Sequence, residues 1–161
     1  MTRVVLPEST KKLEGRAQGP IRKQSRPEHA IAAGENFDLP RSKGYRDLLV
    51  WQRPIEMVES VYGLTAEFPA SERFGLVAQM RRAAISVPSN VAEGYGRQST
   101  GEFRQFLGVA RGSNCELETQ LILSRRLGFG SEEKLSNAER LNAEVSRLLH
   151  GYMKSLHGGS G

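Results

Sequence analysis

At 161 residues the chain has the length of one domain, long enough to bury a core without disulfides. Its single cysteine, Cys115, excludes an intrachain disulfide, a Cys-x-x-Cys redox pair and a cysteine-based zinc ligand set. The net charge of +5 is uneven: residues 1–44 hold nine Lys/Arg against five Asp/Glu, while residues 45–161 hold fourteen against thirteen.

Near the N-terminus the longest apolar run is Val4-Val5-Leu6, and no apolar run is long enough to span a bilayer, so a soluble cytoplasmic protein is expected. Residues 1–44 are rich in Pro, Gly, Ser, Lys and Arg, and Ile21, Ile31, Phe37 and Leu39 follow no sustained period. A disordered basic leader is expected there, serving either as a solubilising extension or as an arm that touches nucleic acid. Residues 158–161, Gly-Gly-Ser-Gly, read as a flexible tail.

From Tyr45 onward the pattern turns helical. Leu48, Trp51, Ile55, Val58, Tyr62 and Thr65 step by threes and fours and read as the core seam of a first helix. A second seam, Val50, Met57, Val61, Leu64 and Phe68, runs beside it and predicts neighbours on two sides. Pro54 predicts a kink or a late start near Gln52, and Pro69 ends the helix. A second helix is expected from about Ser71, carrying Phe74, Leu76, Val77, Met80, Ala83, Ala84, Ile85 and Val87, with a kink at Pro88 and a stop at Gly94 and Gly96. Ser99 and Glu102 have the form of a capping box for a third helix, in which Phe103, Phe106, Leu107, Ala110, Leu117 and Leu121 lead on to Gly128. Ser131, Glu132 and Glu133 suit the positive end of a fourth, whose seam is Leu135, Ala138, Leu141, Val145, Leu148, Leu149, Tyr152 and Leu156. Short connections between four long helices predict an all-α, antiparallel up-down-up-down four-helix bundle over residues 45–157. Small residues at Ala83, Ala84, Ser86, Ser89 and Ala92, and at Gly108, Ala110, Gly112 and Ser113, predict that the second and third helices approach closely.

No Gly-x-x-x-x-Gly-Lys, His-Glu-x-x-His or Gly-x-Ser-x-Gly occurs, and no further ligands accompany His29, His150 and His157. Neither a catalytic site nor a cofactor nor a metal is expected. The arginines are more informative. Surface helices usually pair charges three or four residues apart, as Glu144 is placed to do with Arg140 and Arg147. Arg81, Arg82, Arg104, Arg111, Arg125 and Arg126 have no acid at those distances. Arg104, Arg111 and Arg125 share a heptad spacing, with Glu118 in the remaining slot, and form a stripe along the third helix that suits a phosphate backbone. Residues 45–157 hold twelve Arg but two Lys, and the planar guanidinium fork matches phosphate geometry. The structural reading is that Arg81 and Arg82 pair with Glu116 and Glu118 in a network between helices or subunits. Within Ser86-Val87-Pro88-Ser89-Asn90-Val91-Ala92-Glu93-Gly94, Asn90 and Glu93 are spaced as a capping box that would restart the helix after Pro88.

At these residues the chain resembles the bacterial four-helix bundle proteins named for reading frames within intervening sequences of large-subunit ribosomal RNA genes. The resemblance is carried by Asp47-Leu48 through Trp51, Phe68-Pro69 with Glu72, Gln79-Met80-Arg81-Arg82-Ala83, the Ser86–Gly94 stretch with Arg97, Phe103, Phe106-Leu107, Ala110-Arg111-Gly112-Ser113 and Glu116-Leu117-Glu118-Thr119-Gln120. It covers nearly all of residues 45–157 and none of the leader; Pro54 departs from the helix-forming residue expected there. The resemblance implies a ring-like homo-oligomer, commonly a pentamer, similar to the accessory variability proteins of diversity-generating retroelements, which bind nucleic acid and partner a reverse transcriptase. The expectation is therefore a non-enzymatic, oligomeric protein that binds RNA or DNA through Arg104, Arg111 and Arg125, with Arg97 and Arg126. The alternative is a protein-binding homo-oligomeric scaffold without affinity for nucleic acid, in which Arg81, Arg82, Glu116, Glu118, Asn90 and Glu93 form the polar network.

Overall fold

Four segments in which apolar residues recur every three or four positions form four α-helices: α1 (Leu49–Thr65), α2 (Leu76–Gly96), α3 (Thr100–Leu127) and α4 (Glu132–Ser155). The computed structural model describes residues 43–97 and 99–156, so the expectations for the leader through residue 42, for His29 and His157, and for the tail lie outside the described residues. Among the described residues there is no strand, and no helix is long and apolar enough to cross a membrane. Each helix packs on two neighbours, α1 and α3 each lying against both α2 and α4, and among the described residues the diagonal helices make no close backbone approach. Cross-helix contacts run antiparallel, Met80 meeting Ser124 while Ser86 meets Ser113. This is the expected up-down-up-down bundle.

The helix ends show why the chain breaks where it does. Leu48 stands at the N-cap of α1 and offers no side-chain acceptor. Instead the buried Tyr152 hydroxyl on α4 accepts from the amides of Leu49 and Val50, while burial pushes the phenol above its usual pKa. A short 3₁₀ turn, Ala70–Glu72, follows Pro69, and Glu72 Oε2 accepts the Leu76 amide at 3.1 Å. Helix α2 therefore begins at Leu76, not near Ser71, and Phe74 is left 87% exposed before it. Ser99 caps α3 as expected, its Oγ accepting the Glu102 amide at 3.1 Å. At the other end Gly128 adopts φ 70°, its amide bonds the Arg125 carbonyl, and the Phe129 amide bonds Ser124, which closes a Schellman motif.

Every predicted seam residue of α4 is buried. In α1 the roles of the two seams are reversed. Val50, Met57, Val61, Leu64 and Phe68 are buried in the core; of the first seam only its ends, Leu48 and Thr65, are buried, whereas Trp51, Ile55 and Val58 are half-buried and Tyr62 is 41% exposed. The first seam lies in the groove toward α2, where the Arg81 guanidinium stands 4.4 Å from the Tyr62 ring centre. Pro54 is buried inside α1, which starts at Leu49, earlier than Gln52; the proline removes one bond, to the Val50 carbonyl, and the helix passes through it.

Helix α2 likewise runs through Pro88 without interruption. The expected capping box is absent. Asn90 Nδ2 donates to the Ser86 carbonyl at 2.8 Å, Ser89 Oγ donates to the Ile85 carbonyl at 2.8 Å, and Glu93 turns to Arg97. Side-chain donors thus supplement the carbonyls beside the proline within one continuous helix. The α2–α3 approach is as close as the small residues predict: Ser86 Oγ and Ser113 Oγ are 2.8 Å apart. A Cβ at Gly94 would fall 2.5 Å from Phe106 Cβ and 3.0 Å from Phe103. Gly94 therefore sets the helix crossing, and Gly96 is the residue at which α2 ends.

One buried polar pair lies at mid-bundle. Asn142 Nδ2 donates to the Asn114 carbonyl and to its Oδ1, both at 3.0 Å, and Asn114 Nδ2 donates to the Asn142 carbonyl at 3.2 Å. The two asparagines satisfy one another across α3 and α4, which avoids about 1–3 kcal/mol for each group otherwise left unbonded. Their positions were visible as polar residues in core slots, between Ala110 and Leu117 and between Ala138 and Val145.

Candidate nucleic-acid interface

The asparagine pair marks a level at which Met57, Ser86, Ser113, Asn114 and Asn142 divide the bundle into halves. One half comprises residues 43–57, 86–113 and 142–156 and holds eight Lys/Arg against five Asp/Glu. The other, residues 58–85 and 114–141, holds seven against eight. A domain that is nearly neutral on average thus has a basic end and a balanced end.

Pairing widens the difference. At the basic end Asp47 accepts the Lys43 amide, Glu56 and Glu144 both hold Arg53, and Glu93 holds Arg97. Among the described residues, no carboxylate pairs with Arg46, Arg104, Arg111, Arg147 or Lys154. At the balanced end Lys134 meets Glu67 at 2.6 Å, and Arg125 is gripped from two sides. Its Nη1 lies 2.7 Å from Glu132 Oε2, while Nε and Nη2 reach the two oxygens of Glu139 at 2.9 and 2.8 Å. Glu139 and Glu132 hold that guanidinium above its ordinary pKa, and Arg125 holds the Glu132 carboxyl below the usual range.

These contacts sort the predicted residues. Because Arg125 reaches across to α4, its heptad row occupies the α3–α4 groove, with Arg104 and Arg111 in the basic half. Arg125 itself is not an open phosphate ligand, since two carboxylates already fill its fork. Arg97 is also engaged, bonded to Glu93 at 2.7 Å with its guanidinium 5.2 Å from the Phe106 ring centre. Arg126 is exposed and has no carboxylate partner among the described residues. Within the chain Arg81 and Arg82 do not pair with Glu116 and Glu118. Arg81 Nε donates to Thr65 Oγ1 at 2.9 Å, Arg82 donates to Gln79 at 2.7 Å, and Glu116 accepts from Gln120 at 3.0 Å. Arg81 faces α1, whereas Glu118 shares the α4-facing row with Arg125, so the helices themselves hold the two apart.

Helix α4 adds residues that the sequence reading did not select. Local spacing assigns Glu144 to Arg147, but Arg53 of α1 takes Glu144 at 2.9 Å and Arg140 approaches it at 3.6 Å. A tertiary contact overrides the local one and leaves Arg147 without a carboxylate partner among the described residues. Contacts from Arg125 to Glu139, Asn114 to Asn142 and Gly108 to Met153 fix an antiparallel register that brings residues 146–150 level with Arg111. His150 lies three turns beyond Glu139 on the row facing α3, with Arg147 and Lys154 beside it. The same end carries an aromatic chain: Tyr45 meets Trp51 and Tyr95 edge-on at 5.4 and 6.3 Å, and Tyr95 meets Phe103 at 6.0 Å. Unpaired guanidinium forks in a groove can bind phosphate oxygens and release counterions from a polyanion.

The sequence model of the 23S rRNA-intervening sequence protein family matches residues 46–151. The chain belongs to that family. The match begins at the N-terminal turn before α1 and runs into the last turns of α4, so it takes in Arg104, Arg111, Arg147 and His150 of the groove just described but not Lys154. A crystal structure from the S23 ribosomal protein family of Bacteroides thetaiotaomicron, of a protein described as of unknown function, is similar in fold. Its TM-score is 0.60 at 22% sequence identity, and the alignment covers 66% of this chain and 96% of that one. No curated protein matches the chain.

Proposed function

We propose that this intervening-sequence family member is a non-enzymatic cytoplasmic protein that binds RNA or DNA at the basic end of its bundle and works as a homo-oligomer. The observation that carries the reading is the set Arg104, Arg111, Arg147 and Lys154, four cations around one groove without a carboxylate partner among the described residues. In the other half of the same groove the corresponding arginine, Arg125, is held by two carboxylates. Resemblance to retroelement accessory proteins extends the proposal to a pentameric ring partnering a reverse transcriptase.

Exposed Phe74, Leu123 and Leu127, near the α2 start and the α3 end, favour a second reading, a protein-binding scaffold without intrinsic affinity for nucleic acid. The two readings part on a salt titration of the wild-type protein with a labelled RNA oligonucleotide, accompanied by light scattering. Binding through the groove predicts that log affinity falls linearly with log salt, with a slope of about −2 to −4 for three or four phosphate contacts. Absence of binding to both this RNA and a DNA oligonucleotide by an intact oligomer would sink the first reading and leave the scaffold.

A further inference from the structure

We infer that Glu132 and Glu139 of α4 act as a stop for the bound nucleic acid, confining its phosphates to the Arg104–Arg111 half of the α3–α4 groove. This rests on the proposed nucleic-acid reading. Along one row of α3 the heptad positions are Arg104, Arg111, Glu118 and Arg125. At 1.5 Å per residue, Arg104 and Arg111 are about 10 Å apart and Arg104 and Arg125 about 31 Å apart. A strand that engaged all three arginines would lie along the bundle. One limited to the first two would cross its end.

The groove itself shows a charge step between these alternatives. In its basic half stand Arg104, Arg111, Arg147, His150 and Lys154. In the other half Glu132 and Glu139 both hold Arg125, Glu118 shares the heptad row of Arg125, and Arg140, one heptad before Arg147, is paired with Glu144. Glu139 presents both oxygens to Nε and Nη2 of Arg125, the two-point geometry that a phosphate would use. Ser136 Oγ donates to Glu132 Oε1 at 2.9 Å and holds the second carboxylate in place. Exposed ion pairs of this kind contribute little to stability. Their larger effect is on the groove, where they occupy the one arginine that would extend the track and repel any phosphate passing Glu118. The balanced end is thereby left free for other contacts.

The test removes the stop. In full-length protein, Glu132→Gln with Glu139→Gln should tighten binding of a labelled RNA oligonucleotide roughly fivefold to tenfold at 0.1 M salt and steepen the salt slope by about 0.7–0.9, as expected for one added phosphate contact. Adding Arg125→Gln to that double variant should abolish the gain, and Arg125→Gln alone should leave wild-type affinity unchanged. The charge-matched variant Glu59→Gln with Glu133→Gln, which alters two carboxylates outside the α3-facing row that have no ion-pair partner among the described residues, should gain no more than about twofold. An equal gain in this control, or a gain that survives Arg125→Gln, would overturn the stop. Circular dichroism melting confirms that each variant is folded. If the wild-type protein binds neither the RNA nor a DNA oligonucleotide, the proposed function fails and the stop fails with it; binding without the specific gain removes the stop alone.

Discussion

The two ends of the bundle are held together by different means, and the difference separates what stabilises the chain from what is left for a ligand. At the balanced end, charges join the helices: Glu67 at the end of α1 accepts the Ser131 amide and the Lys134 ammonium, and Arg125 ties α3 to two acids of α4. At the basic end, packing makes more of the joins, through Gly94 against Phe103 and Phe106 and through the aromatic chain from Trp51 to Phe103. Apart from Arg53, which ties α1 to Glu144 of α4, no arginine there forms an ion pair between helices among the described residues. Those without a carboxylate partner remain available.

The contrast can be broken from either side. The largest effect on stability is expected at the basic end, where Gly94→Ala forces the α2–α3 crossing apart and should cost about 1–3 kcal/mol. That loss should be the same in low and high salt, because no charge is involved. Gly112→Ala, on α3 with open space around its Cβ, should cost nothing and can stabilise the helix slightly. Chemical denaturation at two salt concentrations checks both; a salt-dependent Gly94→Ala loss would contradict the division of roles.

A smaller effect is expected at the balanced end on acidification. The Lys134 side chain and the Ser131 amide hold the Glu67 carboxyl at about 2, below its ordinary 4.5. Because its folded pKa is depressed, the contribution is complete above the ordinary value and is lost as pH falls from near 4.5 through about 2, where the unfolded chain takes up the proton first. Glu67→Gln should therefore lower Tm modestly at pH 6 and much less near pH 2. An equal difference at both pH values would show that the carboxylate charge is not the stabilising feature.

Helical periodicity made the fold legible: the α4 seam, the Ser99 cap and the Gly128 stop are all local patterns that the structure realises. Where two apolar faces competed, as on α1, periodicity alone could not choose between them, because both satisfy it and the choice depends on how neighbouring helices press. Pro88 misled for a related reason. The capping box at Asn90 and Glu93 is a valid local pattern, but Asn90 and Ser89 bond backward within the helix and make a restart unnecessary. At the candidate site the heptad row was readable and its partners were not. Arg125 meets acids seven and fourteen residues away on another helix, and Glu144 leaves Arg147 for Arg53 of α1, separations at which sequence spacing carries no signal.

The most direct test neutralises two arginines at each end and compares RNA affinities in the full-length protein. Arg104→Gln with Arg111→Gln removes the unpaired cations of the basic groove. Arg82→Gln with Arg126→Gln removes the same charge from exposed positions of the balanced end. With both variants folded, the account predicts that the first loses about fiftyfold in affinity at 0.1 M salt, with a salt slope shallower by roughly 1.4–1.8, while the second changes by no more than about threefold. Equal losses in the two variants, or a larger loss in the second, would contradict a nucleic-acid site at the basic end.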